Sequence, residues 1–203
     1  MNFVDTMWRP NKAVDAAARK RRLGESITVL LIAAVFMAIA VALMFTSLGS
    51  VLGELAMGGA AIAAVMVFLM VLIGGLIIGF FLQKLMEALG TKADYYAGVS
   101  SIAYSMMPLA TGVLIAGILG LIPIVGIVLA LLIATPFILM GAATMYYSMK
   151  TFFRTDMITA MIAFSAFMFG IVIVLYIVII PAMLQTAGML GGMLPGMMPG
   201  MGI

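Results

Sequence analysis

Long apolar stretches with no charged side chain inside them restrict this chain more than any other feature. A helix rises about 1.5 Å per residue, so roughly 20 residues cross the ~30 Å hydrocarbon layer of a bilayer. Five stretches reach that length: 26–48, 59–82, 101–120, 123–148 and 157–180. Backbone N–H and C=O groups find no water in lipid, so a spanning segment must be a helix or a strand of a closed barrel. Barrel strands alternate apolar and polar residues, and these stretches are apolar all round. The expected fold is all-α: a polytopic membrane helical bundle with five transmembrane helices.

Charge placement orients the expected bundle. Only 8% of residues are charged and 66% are hydrophobic, whereas soluble domains carry about 25% charged residues. The ten basic residues fall outside all five stretches. Arg9, Lys12, Arg19, Lys20, Arg21 and Arg22 precede the first, Lys84 and Lys92 lie between the second and third, and Lys150 and Arg154 lie between the fourth and fifth. With five crossings these segments share one side, and the other side carries only Glu54. The positive-inside rule then puts the N-terminus in the cytoplasm and the C-terminus outside. Between the third and fourth stretches, Gly120 and Pro123 signal a turn without a polar side chain. A re-entrant hairpin there would leave both flanks inside.

The organisation expected is a cytoplasmic amphipathic, basic segment (1–25), a transmembrane domain (26–180) and a flexible external Met/Gly-rich tail (181–203). No cleaved signal peptide is expected, because the first apolar run exceeds the usual 7–15 residues and reads as a signal anchor. In the first segment Phe3, Val4, Met7 and Trp8 recur at helical spacing before Pro10 interrupts. Trp8 suits the headgroup zone, and Arg19, Lys20, Arg21 and Arg22 form a basic collar for anionic headgroups on the cytoplasmic face. The same residues serve equally as a signal that only sets orientation. Basic residues beside a membrane point to lipid rather than nucleic acid.

Chemistry is scarce. There is no Cys and no His, which excludes disulfide frameworks, His-ligated metals and a His general base. The expected spans hold no ionisable side chain, which argues against a proton-coupled pump. Their hydroxyls, Thr28, Thr46, Tyr104, Ser105, Thr111, Thr135, Thr144, Ser165 and Tyr176, read first as helix-packing groups. Asp94 beside Tyr95 and Tyr96 is the nearest approach to a reactive cluster, but no second acid or nucleophile–base pair is in view. No enzyme activity and no cofactor are expected. Met189, Met193 and Met197 in the tail have a rhythm that would suit Cu(I) on a helix, but Gly and Pro oppose that helix, and a tail lying on the outer leaflet is the preferred reading.

Small residues recur at four-residue spacing: Ala34, Ala38 and Ala42; Gly75 and Gly79; Gly112, Ala116 and Gly120; Gly126, Ala130 and Ala134. Such rows let helix backbones approach closely, and the last two suggest a tight hairpin of the third and fourth spans. Pro108 and Pro136 lie inside those spans, where each removes a backbone donor and can kink its helix.

Ala103-Tyr104-Ser105-Met106-Met107-Pro108 is similar to the Gly-Tyr … Leu-Pro motif that enters the third span of the Yip1 domain family, with Ala in place of the leading Gly. Leu121-Ile122-Pro123-Ile124-Val125-Gly126 resembles that family's short Pro-Val-Gly turn, and Trp8-Arg9-Pro10 resembles the lead-in of its prokaryotic members. The resemblance covers most of the chain and rests on Tyr104, Pro108, Pro123 and Gly126. It implies five spans, an internal N-terminus and a trafficking-type role. Eukaryotic members carry long cytoplasmic N-terminal regions, an Asp-Leu-Tyr-Gly-Pro motif and Rab GTPase partners; this chain has about 25 residues before its first span and lacks the motif. The resemblance therefore implies a prokaryotic-type member in a cell membrane. The expected function is a non-enzymatic membrane-organising adaptor with a membrane-protein partner or a second copy as candidate associates. The alternative is a permease or scramblase for an uncharged or lipidic solute.

Overall fold

The computed structural model describes the backbone of residues 3–52, 54–122 and 125–193, and the side chains of 4–46, 59–122, 125–126, 128–173 and 176–177. Within these residues there are seven helices and no strand: α1 (Phe3–Trp8), α2 (Pro10–Lys20), α3 (Leu23–Leu52), α4 (Glu54–Ala88), α5 (Tyr95–Leu119), α6 (Val125–Phe152) and α7 (Met157–Met193). Two compact units follow each other along the chain, Met1–Phe164 and Ser165–Ile203.

The helices overrun the expected spans for a simple reason. Apolarity stops at the first polar residue, but helical backbone continues until something caps it. Asp94 starts α5: its side chain accepts from the Ala97 N–H at 2.8 Å, satisfying a donor left over at the helix start. Asp156 does the same for α7, accepting from Ile158 N at 3.0 Å and Thr159 N at 3.1 Å. α2 opens on Pro10, a residue suited to the first helical turn. Where a tail was expected from 181, helix persists to Met193, because Ala182, Met183, Leu184, Gln185 and Ala187 are good helix formers and Gly becomes frequent only from Gly188. Residues 194–203, with Met197, lie outside the described residues, as do Pro123 and Ile124 of the expected turn.

Four stretches are long and apolar enough to cross a bilayer: Leu23–Thr46, Gly59–Ala88, Tyr95–Leu119 and Val128–Phe152. The apolar part of α7 among the described residues, Met157–Ile173, is shorter, so the expected count of five is not reached there. α5 has 25 residues and α6 has 28, roughly 37 and 42 Å of helix, enough for each to cross without a re-entrant hairpin.

In the first unit α5 is the centre. α3, α4 and α6 all pack on it, and α3 also packs on α4. The sequence of α5 explains this position: Ala97, Gly98, Ser100, Ser101, Ala103, Ala110, Gly112, Ala116 and Gly117 are all buried, and small side chains admit neighbouring backbones. A Cβ at Gly98 would run into the Gly79 carbonyl oxygen of α4, one at Gly112 into Phe137 of α6, and one at Gly117 would come within 3.1 Å of the Ala40 carbonyl oxygen of α3. Each of the three neighbours therefore meets α5 at a glycine. Gly75 of α4 sits against Leu30 of α3, and Gly141 of α6 against the Ser105 carbonyl. Gly126 is buried in the α5–α6 turn against Leu119, and Gly120 caps α5, its N–H bonding to Ala116 O at 2.8 Å. Ala130 and Ala134 are only half-buried.

The outer surface is apolar. On α4, Ile62 is 68% exposed, Met66 65%, Met70 75% and Phe81 64%, a continuous face far larger than water tolerates on a monomer. The second unit, described by itself, is helical through Met193, with Phe169 71% and Tyr176 67% exposed. Gly98→Ala should destabilise the bundle by about 1–3 kcal/mol in thermal unfolding in detergent. Gly74→Ala, whose added Cβ would meet nothing within 4 Å, should leave stability unchanged or raise it by up to ~1 kcal/mol.

Candidate functional site

The described charged side chains of the first unit gather where α3 begins, α4 ends, α5 begins and α6 ends. Ser26 of α3 bonds Ser100 of α5 across 2.7 Å, and Ser148 of α6 donates toward Ser101 O of α5 at 3.4 Å, so these ends are at one level. The N-terminal segment comes back onto this end. Its α1 packs on α5, and α2 packs on α6 and α5.

The fastening of α2 is specific. It is amphipathic, and Pro10, Ala13, Val14 and Ala17 form the buried stripe. An in-plane interfacial helix would turn that stripe to lipid; here it lies against the bundle instead, because α5 and α6 offer an apolar surface within reach of a short linker. Polar bonds hold both partners. Tyr147 of α6 donates to Asp15 Oδ1 at 2.8 Å. Tyr96 of α5 donates to Ala17 O at 2.8 Å. Arg21, in a left-handed conformation with φ 47° at the end of α2, bonds Asp94 Oδ2 at 2.8 Å and lies 5.5 Å from the centre of the Tyr96 ring. Asp94 thus caps α5 with one oxygen and anchors α2 with the other. The Arg21–Asp94 pair is half-exposed, worth at most about 1 kcal/mol alone.

With its apolar stripe covered, α2 leaves Lys12, Arg19 and Lys20 exposed, and Arg22 follows, also exposed. Trp8 is 58% exposed and its ring meets Phe137 of α6 edge-on at 5.7 Å. Tyr104 is fully buried in α5, 6.0 Å from the Phe152 ring. It lines a cavity of about 60 Å³ under α2 together with Asp5, Lys12, Lys20 and Glu25, room for about two waters. Pro108 is buried within α5, while Pro136 on α6 is exposed.

The hydroxyls within the bundle mostly bond their own helices: Ser105 to Ile102 O, Thr111 to Met107 O, Thr144 to Met140 O and Ser148 to Met145 O. Asp94 and Tyr96, the nearest approach to a reactive cluster, are engaged in capping and docking. Among the described residues no group of three acids, His or Cys could hold a metal.

Sequence reasoning missed the Asp15–Tyr147 bond and the role of Tyr96. A signal was present: Asp15 is the only acid between Arg9 and Arg22, and an isolated acid in a basic helix invites a partner. It also missed Gly98, Gly117 and Gly141, which fall outside the four-residue rows. In a variant carrying Cys at Ala17, the otherwise Cys-free chain should label slowly with a soluble maleimide. Adding Tyr96→Phe and Tyr147→Phe should speed labelling by about tenfold or more, since each lost hydrogen bond weakens docking by roughly 0.5–1.5 kcal/mol.

No curated protein and no solved structure matches the chain. The family model described as "Yip1 domain" matches residues 4–180. The match runs from α1, through the Tyr104–Pro108 segment, into α7, and bears out the resemblance read around those residues. With apolar helices exposed on the outside of the bundle and most of its length covered by that model, the chain belongs to the Yip1 domain family of membrane proteins.

Proposed function

We propose that this protein is a non-enzymatic, five-span membrane-organising adaptor of the trafficking type, with its N-terminus in the cytoplasm and its C-terminus outside. One observation carries the reading: α2 is fastened to the bundle by its apolar stripe and by Asp15 and Arg21, with Lys12, Arg19 and Lys20 left exposed. A fixed basic platform at the headgroup level is suited to gather anionic lipid and to offer a defined face to a membrane-protein partner. The family match supports the membrane setting, and the placement of all basic residues in the segments assigned to one side supports the orientation. A prokaryotic cell membrane is the proposed setting, on the likeness of Trp8-Arg9-Pro10 to the lead-in of the family's prokaryotic members.

Permeation of an uncharged or lipidic solute has less support. It draws on the cavity at Tyr104, which is small, and on bundle hydroxyls that are largely occupied by their own backbones.

Reconstitution into mixed vesicles tests the adaptor reading. The native chain should enrich anionic lipid around itself. Arg19→Gln, Lys20→Gln and Arg22→Gln together should lower that enrichment by up to about a hundredfold, at about 1 kcal/mol per basic residue near the surface, with Arg21 kept because it holds Asp94. Unchanged enrichment, or flux of lipid through protein-containing vesicles, would overturn the reading. Single Cys residues placed at Lys92, Arg154 and Leu121 should report two sidedness classes, the first two shielded in sealed right-side-out vesicles and the third open.

A further inference from the structure

A cavity of the first unit lies beside the α2 platform and shares Arg21 with it. It has a volume of about 760 Å³ and opens at the charged end between the α4–α5 loop and the α6–α7 loop. Phe152 and Phe153, 3% and 4% exposed, contribute its apolar wall. Its rim brings together Arg21, Lys92, Asp94, Arg154 and Asp156.

The charges do not cancel in place. Asp94 is engaged by Arg21 and by the first turn of α5. Asp156 is engaged by the start of α7, where the Thr159 side chain and the backbone N–H groups of Thr159 and Ile158 hold its carboxyl below the usual Asp range. Lys92 and Arg154 have no ion pair among the described residues. Two cations from distant parts of the sequence therefore face one cavity whose carboxylates already have partners. Arg21, Gly90 and Arg154, with φ of 47°, 80° and 50°, are the left-handed residues among those described, and all three line this cavity. All three terminate helices: the Arg21 N–H bonds Ala17 O, and the Thr91 and Thr155 N–H groups that follow Gly90 and Arg154 bond Met86 O and Lys150 O, so the ends of α2, α4 and α6 converge on the cavity.

We propose that this cavity binds a phosphate ester anion, with the Lys92 ammonium and the Arg154 guanidinium as its charge-assisted donors and Phe152 and Phe153 beside the ester's apolar portion. Arg can grip two phosphate oxygens and Lys adds a point charge. A membrane phospholipid headgroup and a soluble phosphate compound share this chemistry. The site rests on the adaptor reading only in placing this end of the bundle at the headgroups; it does not use Arg19, Lys20 or Arg22.

The test uses the full chain in phosphatidylcholine nanodiscs. Phosphatidylglycerol retained through purification is counted by native mass spectrometry, and inorganic phosphate binding is measured by titration. The native chain should retain phosphatidylglycerol over phosphatidylcholine, bind phosphate, or both. Lys92→Gln and Arg154→Gln should each weaken that binding about tenfold, while Lys92→Arg should retain it and thermal unfolding should stay unchanged. Retention of phosphatidylglycerol that phosphate does not displace identifies a lipid; binding of phosphate alone identifies a soluble anion; either supports the site. If the Gln variants bind as the native chain does, or if neither ligand is preferred, the site is overturned. Loss only on neutralising Arg19, Lys20 and Arg22 would overturn this site and leave the adaptor reading standing. Loss only with the Lys92 and Arg154 variants would do the reverse.

Discussion

Close approach of helix backbones to α5 is the constraint on which the rest of the first unit depends. In lipid, apolar side chains gain nothing by facing each other rather than the hydrocarbon, so helices associate through van der Waals packing and hydrogen bonds at short range. α5 supplies the short range. It meets α4 at Gly98, α6 at Gly112 and α3 at Gly117, and the Ser26–Ser100 bond adds a polar tie at the charged end. Ile62, Met66, Met70 and Phe81 of α4 are left for the outside. Small residues thus set the helix contacts around α5, with larger side chains such as Tyr104, Leu30 and Met107 filling the space between helices.

That central helix also determines what the N-terminal segment can do. α5 and α6 together present a surface on which the stripe Pro10, Ala13, Val14 and Ala17 can dock. Docking leaves Lys12, Arg19 and Lys20 of α2 exposed. An unattached basic arm would sample many orientations; one held by Asp15, Ala17 and Arg21 presents a fixed pattern. Asp94 links this platform to the neighbouring cavity, since the carboxylate that caps α5 also neutralises Arg21 on the cavity rim. Lys92 and Arg154 remain as that cavity's available charges.

Much of this architecture was legible beforehand. Helix positions followed from the uncharged runs, because lipid leaves the backbone no alternative, and the family was legible at Tyr104 and Pro108. The four-residue rows pointed at Gly75, Gly79 and Gly112, which sit at helix contacts, but also at Ala130 and Ala134, which are half-exposed. They passed over Gly98, Gly117 and Gly141. A row tells which face of a helix is small; it carries no information on which neighbour arrives there or at what height. The docking of α2 was not legible for a related reason: an amphipathic pattern shows that one face needs cover and is silent on whether lipid or protein covers it.

The division between the two sources follows range. The sequence by itself determined what depends on local physics: helical backbone wherever charge is absent for a span's length, caps at Asp94 and Asp156, and the one-sided distribution of basic residues. Only the tertiary structure decided what depends on residues far apart in the chain. It paired Asp15 with Tyr147 and Arg21 with Asp94, buried Tyr104 beneath α2, and brought Lys92 and Arg154 to one cavity. Those partnerships are set by the rotation and height at which each helix packs on α5, and that is a property of all the contacts together rather than of any one segment.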